Sequence, residues 1–356
     1  MTQRSILIMA GGTGGHIYPG LAVADVLRDD GWQVTWLGAP NSMEADLVPK
    51  HGYPVARVRF GGLRGKGLLR KLLLPINLLI ALWQSAVAIF SYRPDVVLGL
   101  GGYITFPGGL MAALLRRPLV IHEQNSIAGL SNKALAKLAQ RVLSGFPNVL
   151  PKAQWVGNPV RADIAALVEP SSRYQVRVGA LNVLVVGGSL GAKAINEAVP
   201  AALTLLPENA RPNVVHQTGK AHFSATELAY KKTQVTAEVR PFLEDMASRY
   251  AWADLVICRA GALTVAELAA AGVASVLIPF PFAVDDHQTF NAKFLSEHGA
   301  AKLLPQTELT AEKLAKLLSE MTREKLLEMA LQARSLAKAE ADEQVAMVCA
   351  ALAEAA

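Results

Sequence analysis

Short hydrophobic runs alternate with longer segments of helical periodicity along the whole chain. In the first half, runs of strand length predict β-strands at Ser5–Met9, Gln33–Leu37, Val55–Val58, Val96–Leu100, Leu119–His122 and Arg141–Ser144. The same alternation restarts in the second half, with predicted strands at Asn182–Val186, Asn213–Gln217, around Val239, Leu255–Cys258 and Val276–Pro279. Strands separated by helices favour βαβ units, so the pattern predicts an α/β protein with parallel sheets.

The length and the positions of Pro and Gly predict two domains. A chain of 356 residues is about twice the usual size of one domain. Breaker residues at Gly157–Arg161, or the polar stretch Glu169–Gly179, are typical of a boundary. We therefore predict one domain over residues 1–160 and a second over 161–340. A C-terminal helix at about 341–356 is expected to pack back on the first domain.

Charge is distributed unevenly between the two halves. Residues 1–160 contain 16 Lys and Arg against 7 Asp and Glu, whereas residues 161–356 contain 19 against 22. No acidic residue occurs between Asp46 and Asp95, which indicates a basic face and an anionic partner. The two cysteines exclude a disulfide framework, and no signal-peptide pattern precedes the first strand, so we expect a cytoplasmic protein.

Three glycine clusters directly follow predicted strands. They lie at Gly11–Gly15, Gly101–Gly109 and Gly187–Gly191. A glycine turn that opens a helix at the carboxyl end of a strand directs backbone N–H groups and the helix dipole at an anion such as phosphate. A tight strand-to-helix turn without any ligand is the alternative explanation for each cluster taken alone.

The details of these loops argue against a dinucleotide-binding enzyme and against a P-loop ATPase. His16 and Ile17 replace the last glycine of a dinucleotide fingerprint, and the second strand ends in Trp36-Leu37-Gly38-Ala39 without an acidic residue for a ribose. No Gly-Lys-Ser or Gly-Lys-Thr follows a glycine cluster, and no Asp-x-Asp triplet is present to bind a metal. The sequence therefore predicts a diphosphate site without metal or cofactor.

The most specific segment is Arg259–Glu267, followed by Gly272, Pro279, Gln288 and Asn291. Further matching segments are Met43–Gly52, Gly62–Gly67, His122–Asn125 and Asn158–Arg161. With these motifs the chain resembles glycosyltransferase family 28 over nearly its whole length. The resemblance implies a GT-B fold, in which the parallel sheets of two Rossmann-like domains face each other across a cleft.

The resemblance also implies a reaction. It is the inverting, metal-independent transfer of GlcNAc from UDP-GlcNAc to the 4-hydroxyl of MurNAc in undecaprenyl-pyrophosphoryl-MurNAc-pentapeptide, which converts lipid I to lipid II in peptidoglycan synthesis. Two alternatives stay open. A UDP-GlcNAc epimerase of the same fold would need no lipid-binding patch, and a nucleotide-sugar binding scaffold would need no base.

Donor contacts are implied residue by residue. The diphosphate is assigned to Ser189 and to a helix start formed by Ala262, Leu263, Thr264, Val265 and Ala266. Glu267 is assigned to the ribose diol, or else is an acidic residue favoured by the helix dipole. The other implied donor contacts are Thr13, Gly14, Gly15, Asn125, Arg161, Leu243 (through its backbone, to uracil) and Gln288. For Arg161 a salt bridge at the hinge is the alternative.

Catalysis requires a base near the attacking hydroxyl. His16 is the first candidate, because a histidine in a glycine loop titrates near neutrality. The alternative is that His16 orients the loop or binds a phosphate, and Glu123 is then the second candidate base. Tyr103 is implied on the acceptor side. We expect His51, His122 and His216 to be structural.

A lipid acceptor would explain the acid-free basic window. There, Arg70 and Lys71 precede an apolar segment with Ile76, Leu79, Leu82 and Trp83. Pro75 and Asn77 interrupt the apolar run, so we expect a peripheral docking patch for an anionic membrane surface rather than a membrane span. The alternative is a core helix. Membrane-bound proteins of cell-wall synthesis are possible further partners, and nucleic acid is not expected.

Overall fold

The computed structural model describes residues 3–61, 73–188 and 190–355. Contacts between residues divide the chain into two compact units. The first unit contains the residues up to Val160 and those from Lys338 onward, and the second contains Arg161–Ala337. The predicted residues Arg70, Lys71 and Ser189 lie outside the described ranges.

The first unit is built on a seven-stranded parallel sheet with the order β3-β2-β1-β4-β5-β6-β7. Its strands are β1 (Ser5–Ala10), β2 (Gln33–Gly38), β3 (Val55–Arg57), β4 (Val96–Gly101), β5 (Leu119–Glu123), β6 (Arg141–Ser144) and β7 (Gln154–Trp155). Because β1 pairs with both β2 and β4, the strand order reverses direction at β1. In sheets of this kind ligands bind outside the carboxyl ends of the strands near that reversal.

Helices connect these strands and cover both faces of the sheet. They are α1 (Gly14–Asp29), α2 (Met43–Leu47), α3 (Leu74–Tyr92), α4 (Thr105–Leu114) and α5 (Leu130–Leu135). One hydrophobic core joins α1 to β1 and β4, and includes Val345 and Cys349 of α15 (Ala341–Glu354). A second core on the other face includes Ala81, Ala88 and Ile89 of α3.

The second unit repeats this plan with a six-stranded parallel sheet in the order β10-β9-β8-β11-β12-β13. Its strands are β8 (Asn182–Val186), β9 (Asn213–Gln217), β10 (Glu238–Arg240), β11 (Leu255–Cys258), β12 (Ala274–Leu277) and β13 (Ala301–Leu303). Its helices are α6 (Ala162–Ala165), α7 (Pro170–Gln175), α8 (Lys193–Thr204), α9 (Phe223–Thr233), α10 (Met246–Trp252), α11 (Ala262–Ala271), α12 (His287–Ser296), α13 (Ala311–Ser319) and α14 (Arg323–Ser335).

The predicted fold class, α/β with parallel sheets in two similar halves, is confirmed. Three details differ from the pattern. Strand β12 begins at Ala274, two residues before the predicted Val276, because Ala274 and Ser275 are as fully buried as the valine. Strands β7 and β13 have two and three residues, too few for a periodicity to be recognised.

Candidate functional site

The glycine loops after β1 and β4 lie against each other in the first unit. Gly102 has φ +84°, and a Cβ atom there would lie 2.2 Å from the backbone oxygen of Gly11. A side chain is excluded at this position both by the backbone conformation and by the neighbouring loop. The first loop leads into α1, where Gly12, Thr13 and Gly15 are exposed and Gly14 is half-buried. The predicted anion-binding turn thus has an open surface.

A carboxylate that the sequence analysis did not single out holds this loop. Glu44 is fully buried; its Oε2 accepts a hydrogen bond from the N–H of Gly12 at 3.2 Å, and its Oε1 accepts one from the N–H of Ala39 at 3.1 Å. Burial and the charge of Glu44 both raise the pKa of Tyr103. Glu44 is one of only seven acidic residues among residues 1–160. This scarcity was the sequence feature that could have marked Glu44 as a structural or functional residue.

His16 is half-buried at the start of α1 and belongs to a chain of hydrogen bonds. Its Nδ1 lies 2.8 Å from Oε1 of Gln124, and Nε2 of Gln124 lies 3.0 Å from Nδ1 of His122. At the far end, Nε2 of His122 lies 2.8 Å from the carbonyl oxygen of Gly157. Burial lowers the pKa of His122 to about 4. The structure therefore brings together residues that lie far apart in the sequence.

Glu123 lies next to this chain and is almost fully buried. Its Oε1 accepts from the backbone N–H of Asn125 at 2.9 Å and from the Asn125 side chain at 3.3 Å. Its Oε2 accepts from the N–H of Gly129 at 3.0 Å and from Nδ2 of Asn132 at 2.9 Å. Four hydrogen bonds reach this carboxylate, so it organises the loop after β5. Asn125 is held by the same carboxylate.

In the second unit, α11 opens directly after Gly261 at the carboxyl end of β11. The N–H of Val265 already donates to the carbonyl of Gly261 at 3.0 Å, and the Val265 side chain is fully buried. The helix therefore offers the N–H groups of Ala262, Leu263 and Thr264, which have no intrahelical acceptor at this position. The predicted residue Val265 lies at this helix start, with its N–H bonded within the helix and its side chain in the core.

One turn further along α11, Glu267 is half-buried beside Tyr250. The hydroxyl of Tyr250 donates to Oε2 of Glu267 at 3.0 Å. Burial raises the pKa of Glu267, while the Tyr250 hydrogen bond and the charge of Arg161 oppose that shift. Nε and Nη2 of Arg161 are buried without a hydrogen-bond partner among the described residues, although Nε lies 3.5 Å from Oδ1 of Asp163. Arg161 and Glu267 thus flank the start of the same helix.

The remaining predicted donor residues are held by side chains and loops of the second unit. The N–H of Leu243 donates to Oε1 of Gln217 at 3.1 Å. Oε1 of Gln288 accepts from the N–H of Phe280 at 2.9 Å, which fixes the loop before α12. Arg259 donates to the carbonyls of Ile278 and Pro279, each at 3.1 Å, and therefore braces the same loop.

Helix α3 has two opposite apolar faces. Ala81, Ser85, Ala88 and Ile89 are buried on one face. The other face carries exposed hydrophobic side chains at helical spacing along its whole length: Ile76, Leu79, Ile80, Trp83, Val87 and Phe90. We call these six residues the exposed stripe. Leu82, which was predicted among them, is only half-buried and lies outside the stripe.

By length and composition α3 could cross a membrane. It has 19 residues with a mean hydropathy of 1.7 over its most apolar window, of which 22% is buried within the protein. No group of three or more His, Cys, Asp or Glu side chains that could hold a metal ion occurs in residues 3–61, 73–188 and 190–355.

Comparison with known families identifies both halves of the chain. The model of the glycosyltransferase family 28 N-terminal domain matches residues 6–144, and the model of the C-terminal domain of that family matches residues 182–345. Together the two matches cover most of the sequence, with the N-terminal domain model before the C-terminal one.

Similar proteins carry one activity in their names. The chain is 61% identical to a UDP-N-acetylglucosamine–N-acetylmuramyl-(pentapeptide) pyrophosphoryl-undecaprenol N-acetylglucosamine transferase of Cupriavidus metallidurans, over 99% of both chains. It is 62% identical to the protein of the same name from Azoarcus, again over 99% of both. The crystal structure of MurG from Acinetobacter baumannii is 43% identical, with a TM-score of 0.86 over 98% of this chain and 99% of that one.

Proposed function

The chain belongs to glycosyltransferase family 28, and on this premise we propose that it transfers GlcNAc from UDP-GlcNAc to the 4-hydroxyl of MurNAc in undecaprenyl-pyrophosphoryl-MurNAc-pentapeptide. The observation that carries the proposal is the similarity over full length to transferases whose name states this reaction. Its two parallel-sheet units have the GT-B fold of glycosyltransferases. The product is lipid II, a precursor of peptidoglycan.

The second unit holds the donor in this proposal. The diphosphate lies at the N-terminus of α11, where the N–H groups of Ala262, Leu263 and Thr264 and the helix dipole favour an anion. Arg161 supports this placement, because its Nη2 atom is buried without a hydrogen-bond partner among the described residues and can donate to an anion. These groups stabilise the charge that develops on departing UDP, so the proposed mechanism uses no metal.

Glu267 binds the ribose diol. One carboxylate oxygen accepts from Tyr250, which fixes the orientation of the carboxylate, and a carboxylate has lone pairs for two further hydroxyl donors. Gln288 contacts the sugar through its Nε2 group, since its Oε1 is already bonded to the Phe280 N–H. Leu243 contributes to the uracil pocket through its backbone, with its N–H shared with Gln217. Ser189 contributes a further phosphate contact.

The first unit supplies the base and the acceptor site. His16 removes the proton from the MurNAc hydroxyl, and the oxygen attacks the anomeric carbon as the bond to the diphosphate breaks. The configuration at the anomeric carbon is therefore inverted. The occupied lone pairs of Glu123 support His16 as the base. Thr13, Gly14 and Gly15 face the sugar and phosphates, Asn125 contacts the donor, and Tyr103 lines the acceptor side.

We place the enzyme at the cytoplasmic face of the membrane as a peripheral protein. One face of α3 packs into the core of the first unit, so the opposite, exposed stripe is available to a lipid surface. A helix that packs one face into the protein and exposes an apolar face can lie in the plane of the interface. Arg70 and Lys71, just before the helix, would add attraction to anionic headgroups.

The test is transfer of labelled GlcNAc from UDP-GlcNAc to a short-chain polyprenyl-pyrophosphoryl-MurNAc-pentapeptide, with excess EDTA. Transfer supports both the acceptor and the metal-free stabilisation of the leaving group. Transfer only after magnesium is added would keep the reaction and overturn the proposed role of α11 and Arg161. Tight binding of UDP-GlcNAc without transfer under either condition would overturn the proposed function.

A further inference from the structure

Gln124 is a fully buried side chain whose two ends face two different histidines. Its Oε1 lies 2.8 Å from Nδ1 of His16, and its Nε2 lies 3.0 Å from Nδ1 of His122. Neither Gln124 nor His122 has a role in the transfer reaction as described so far. Because a side-chain amide has one accepting end and one donating end, it can transmit the protonation state of one histidine to the other.

The state of His122 follows from its partner at the far end. Nε2 of His122 lies 2.8 Å from the carbonyl oxygen of Gly157, and a carbonyl oxygen only accepts, so Nε2 carries a proton. Burial lowers the pKa of His122 to about 4, so at neutral pH the ring carries no second proton. Nδ1 of His122 therefore presents a lone pair to Gln124.

The amide of Gln124 can satisfy this arrangement in one orientation only. Its Nε2 group donates to Nδ1 of His122 and to the backbone carbonyl of His122 at 3.1 Å. If the amide were turned around, its oxygen would face two acceptors at these distances. Oε1 therefore faces His16, and Nδ1 of His16 must donate the hydrogen bond of 2.8 Å.

We infer that Gln124 and His122 are positioning residues that hold His16 in the tautomer with its proton on Nδ1. This inference rests on the proposed role of His16 as the base. With its single proton on Nδ1, His16 keeps a lone pair on Nε2. The O–H bond of the acceptor hydroxyl breaks and its proton moves to Nε2. The oxygen forms the new bond to the anomeric carbon with the electrons of its former O–H bond. The bond between the anomeric carbon and the diphosphate oxygen breaks, and its electrons leave with UDP.

Backbone and side-chain contacts fix Gly157 and Gln124, which form the end and the middle of the chain of hydrogen bonds that begins at His16. Gly157 has φ +90°, and a Cβ there would lie 2.3 Å from Cβ of Lys338, so the carbonyl that ends the chain belongs to a position restricted to glycine. Nδ2 of Asn158 donates to the backbone carbonyl of Gln124 at 3.0 Å. The segment Asn158–Arg161 thus begins with a residue that holds the backbone of Gln124. We call the hydrogen-bonded series His16, Gln124, His122 and Gly157 the relay.

The first measurement is ¹⁵N NMR of the full chain labelled at histidine, at alkaline pH. The two ring nitrogens of a neutral histidine differ strongly in shift according to which one carries the proton. We expect His16, assigned by comparison with His16→Gln, to have Nδ1 protonated and Nε2 unprotonated. A proton on Nε2 or a mixture of tautomers in the unsubstituted protein would overturn the inference, whether or not any variant folds.

The second measurement uses Gln124→Met, which keeps the volume and removes both ends of the amide. We expect a mixture of His16 tautomers and a kcat lower by about ten- to a hundred-fold, a part of the 10²–10⁴ that a general base contributes. The KM for UDP-GlcNAc should not change. The matched control is Gln140→Met, since Gln140 accepts from the Leu119 N–H at the opposite end of β5. It should leave both tautomer and kcat unchanged.

Failure of the positioning role and failure of the base assignment give different results. If Gln124→Met disturbs the tautomer but keeps kcat, or lowers kcat with the tautomer intact, the positioning role is overturned. If His16→Gln transfers GlcNAc at the unsubstituted rate, the base assignment under the proposed function fails. Gln124 and His122 then have no catalytic role, even when the unsubstituted protein shows the expected tautomer of His16. His122→Phe should reproduce the Gln124→Met spectrum, and an unchanged spectrum would count against the relay.

Discussion

The hydroxyl of Tyr250 donates a hydrogen bond of 3.0 Å to Oε2 of Glu267, which lies in the second turn of α11. A buried tyrosine in this position restricts the carboxylate to one orientation before any ligand arrives. Preorganisation of this kind lowers the entropic cost of binding a ligand, here the ribose of the proposed donor site.

The first prediction concerns this pair. Glu267→Gln should raise the KM for UDP-GlcNAc by about ten- to a hundred-fold, because a hydrogen bond to a charged group contributes roughly 1.5–3 kcal/mol. Tyr250→Phe should raise it less, since the carboxylate stays. The 2′-deoxyribose analogue of UDP-GlcNAc tests the cause. If Glu267 binds the ribose diol, this analogue should have nearly the same KM in Glu267→Gln as in the unsubstituted protein. An additional full loss with that donor would show that Glu267 does not bind the diol.

The two candidate bases should respond to substitution in different ways. His16→Gln should lower kcat by 10²–10⁴ with unchanged stability and UDP binding. Glu123→Gln should instead lower the free energy of unfolding, by roughly 1–3 kcal/mol, because its amide nitrogen would face donors that now bond to the carboxylate. Urea unfolding and transfer kinetics separate the two effects. A stable Glu123→Gln with a kcat lowered a thousand-fold would make Glu123 the base.

Arg161→Met should weaken UDP binding by about ten-fold or more, since it removes a charge-assisted hydrogen bond to the diphosphate. Calorimetric titration with UDP and with uridine isolates the phosphate contribution, and affinity for uridine should not change. Arg240→Met is the control, because Arg240 is an exposed arginine of the same unit that pairs with Glu238 at 3.0 Å. Equal losses for UDP and uridine would contradict the diphosphate contact.

Replacing Leu79 and Trp83 with glutamate should reduce binding to vesicles that contain anionic lipid by an order of magnitude or more. The side chains of Leu79 and Trp83 are 66% and 67% exposed, so the fold should tolerate the change. Transfer to a short-chain, water-soluble acceptor should persist. The matched control is the same double change at Leu228 and Leu331, exposed leucines of the second unit. Equal vesicle binding of both variants would refute a docking role for the stripe.

The last prediction is a loss of stability in mild acid. Burial lowers the pKa of His122 to about 4 and that of His216 to about 3, whereas the unfolded value is about 6.5. The unfolded chain therefore binds more protons below pH 6.5, and stability falls as the pH decreases towards these folded values. Each histidine should lower the free energy of unfolding by about 2 kcal/mol when the pH falls from 7 to 5.

Urea unfolding at the two pH values measures this loss. His216→Phe should be less stable at pH 7, because Asn196 and Tyr230 lose their partner, but should show a smaller decrease on acidification. His298→Gln changes an exposed histidine and should keep the decrease of the unsubstituted protein. An equal decrease in His216→Phe would mean that other groups cause the acid sensitivity.

Much of the fold could be predicted because its signals are local. Alternation of strand-length apolar runs with helical segments predicted both parallel sheets, and the predicted glycine turns follow β1, β4 and β8 in the structure. The proposed contacts of Arg161 and Glu267 with UDP-GlcNAc follow from the family motifs and stay predictions.

Other properties depend on residues that are distant in sequence. His122, Glu123 and Gln124 are consecutive, and nothing in their order indicates which one supports His16, over 100 positions away. The pairing of β5 with β4 and β6 turns these neighbours in different directions, so Gln124 reaches His16 while Glu123 binds its own loop. Likewise, Glu44 meets Gly12 only because β1 and β2 are adjacent.

The amino-acid sequence by itself therefore determined the class of fold, the family and the types of residue at the site. The tertiary structure alone decided which carboxylates are occupied, which ring nitrogen of His16 is paired and which face of α3 is exposed. The physical reason is that periodicity and glycine turns act over a few residues, whereas hydrogen-bond partners and burial depend on which strands become neighbours.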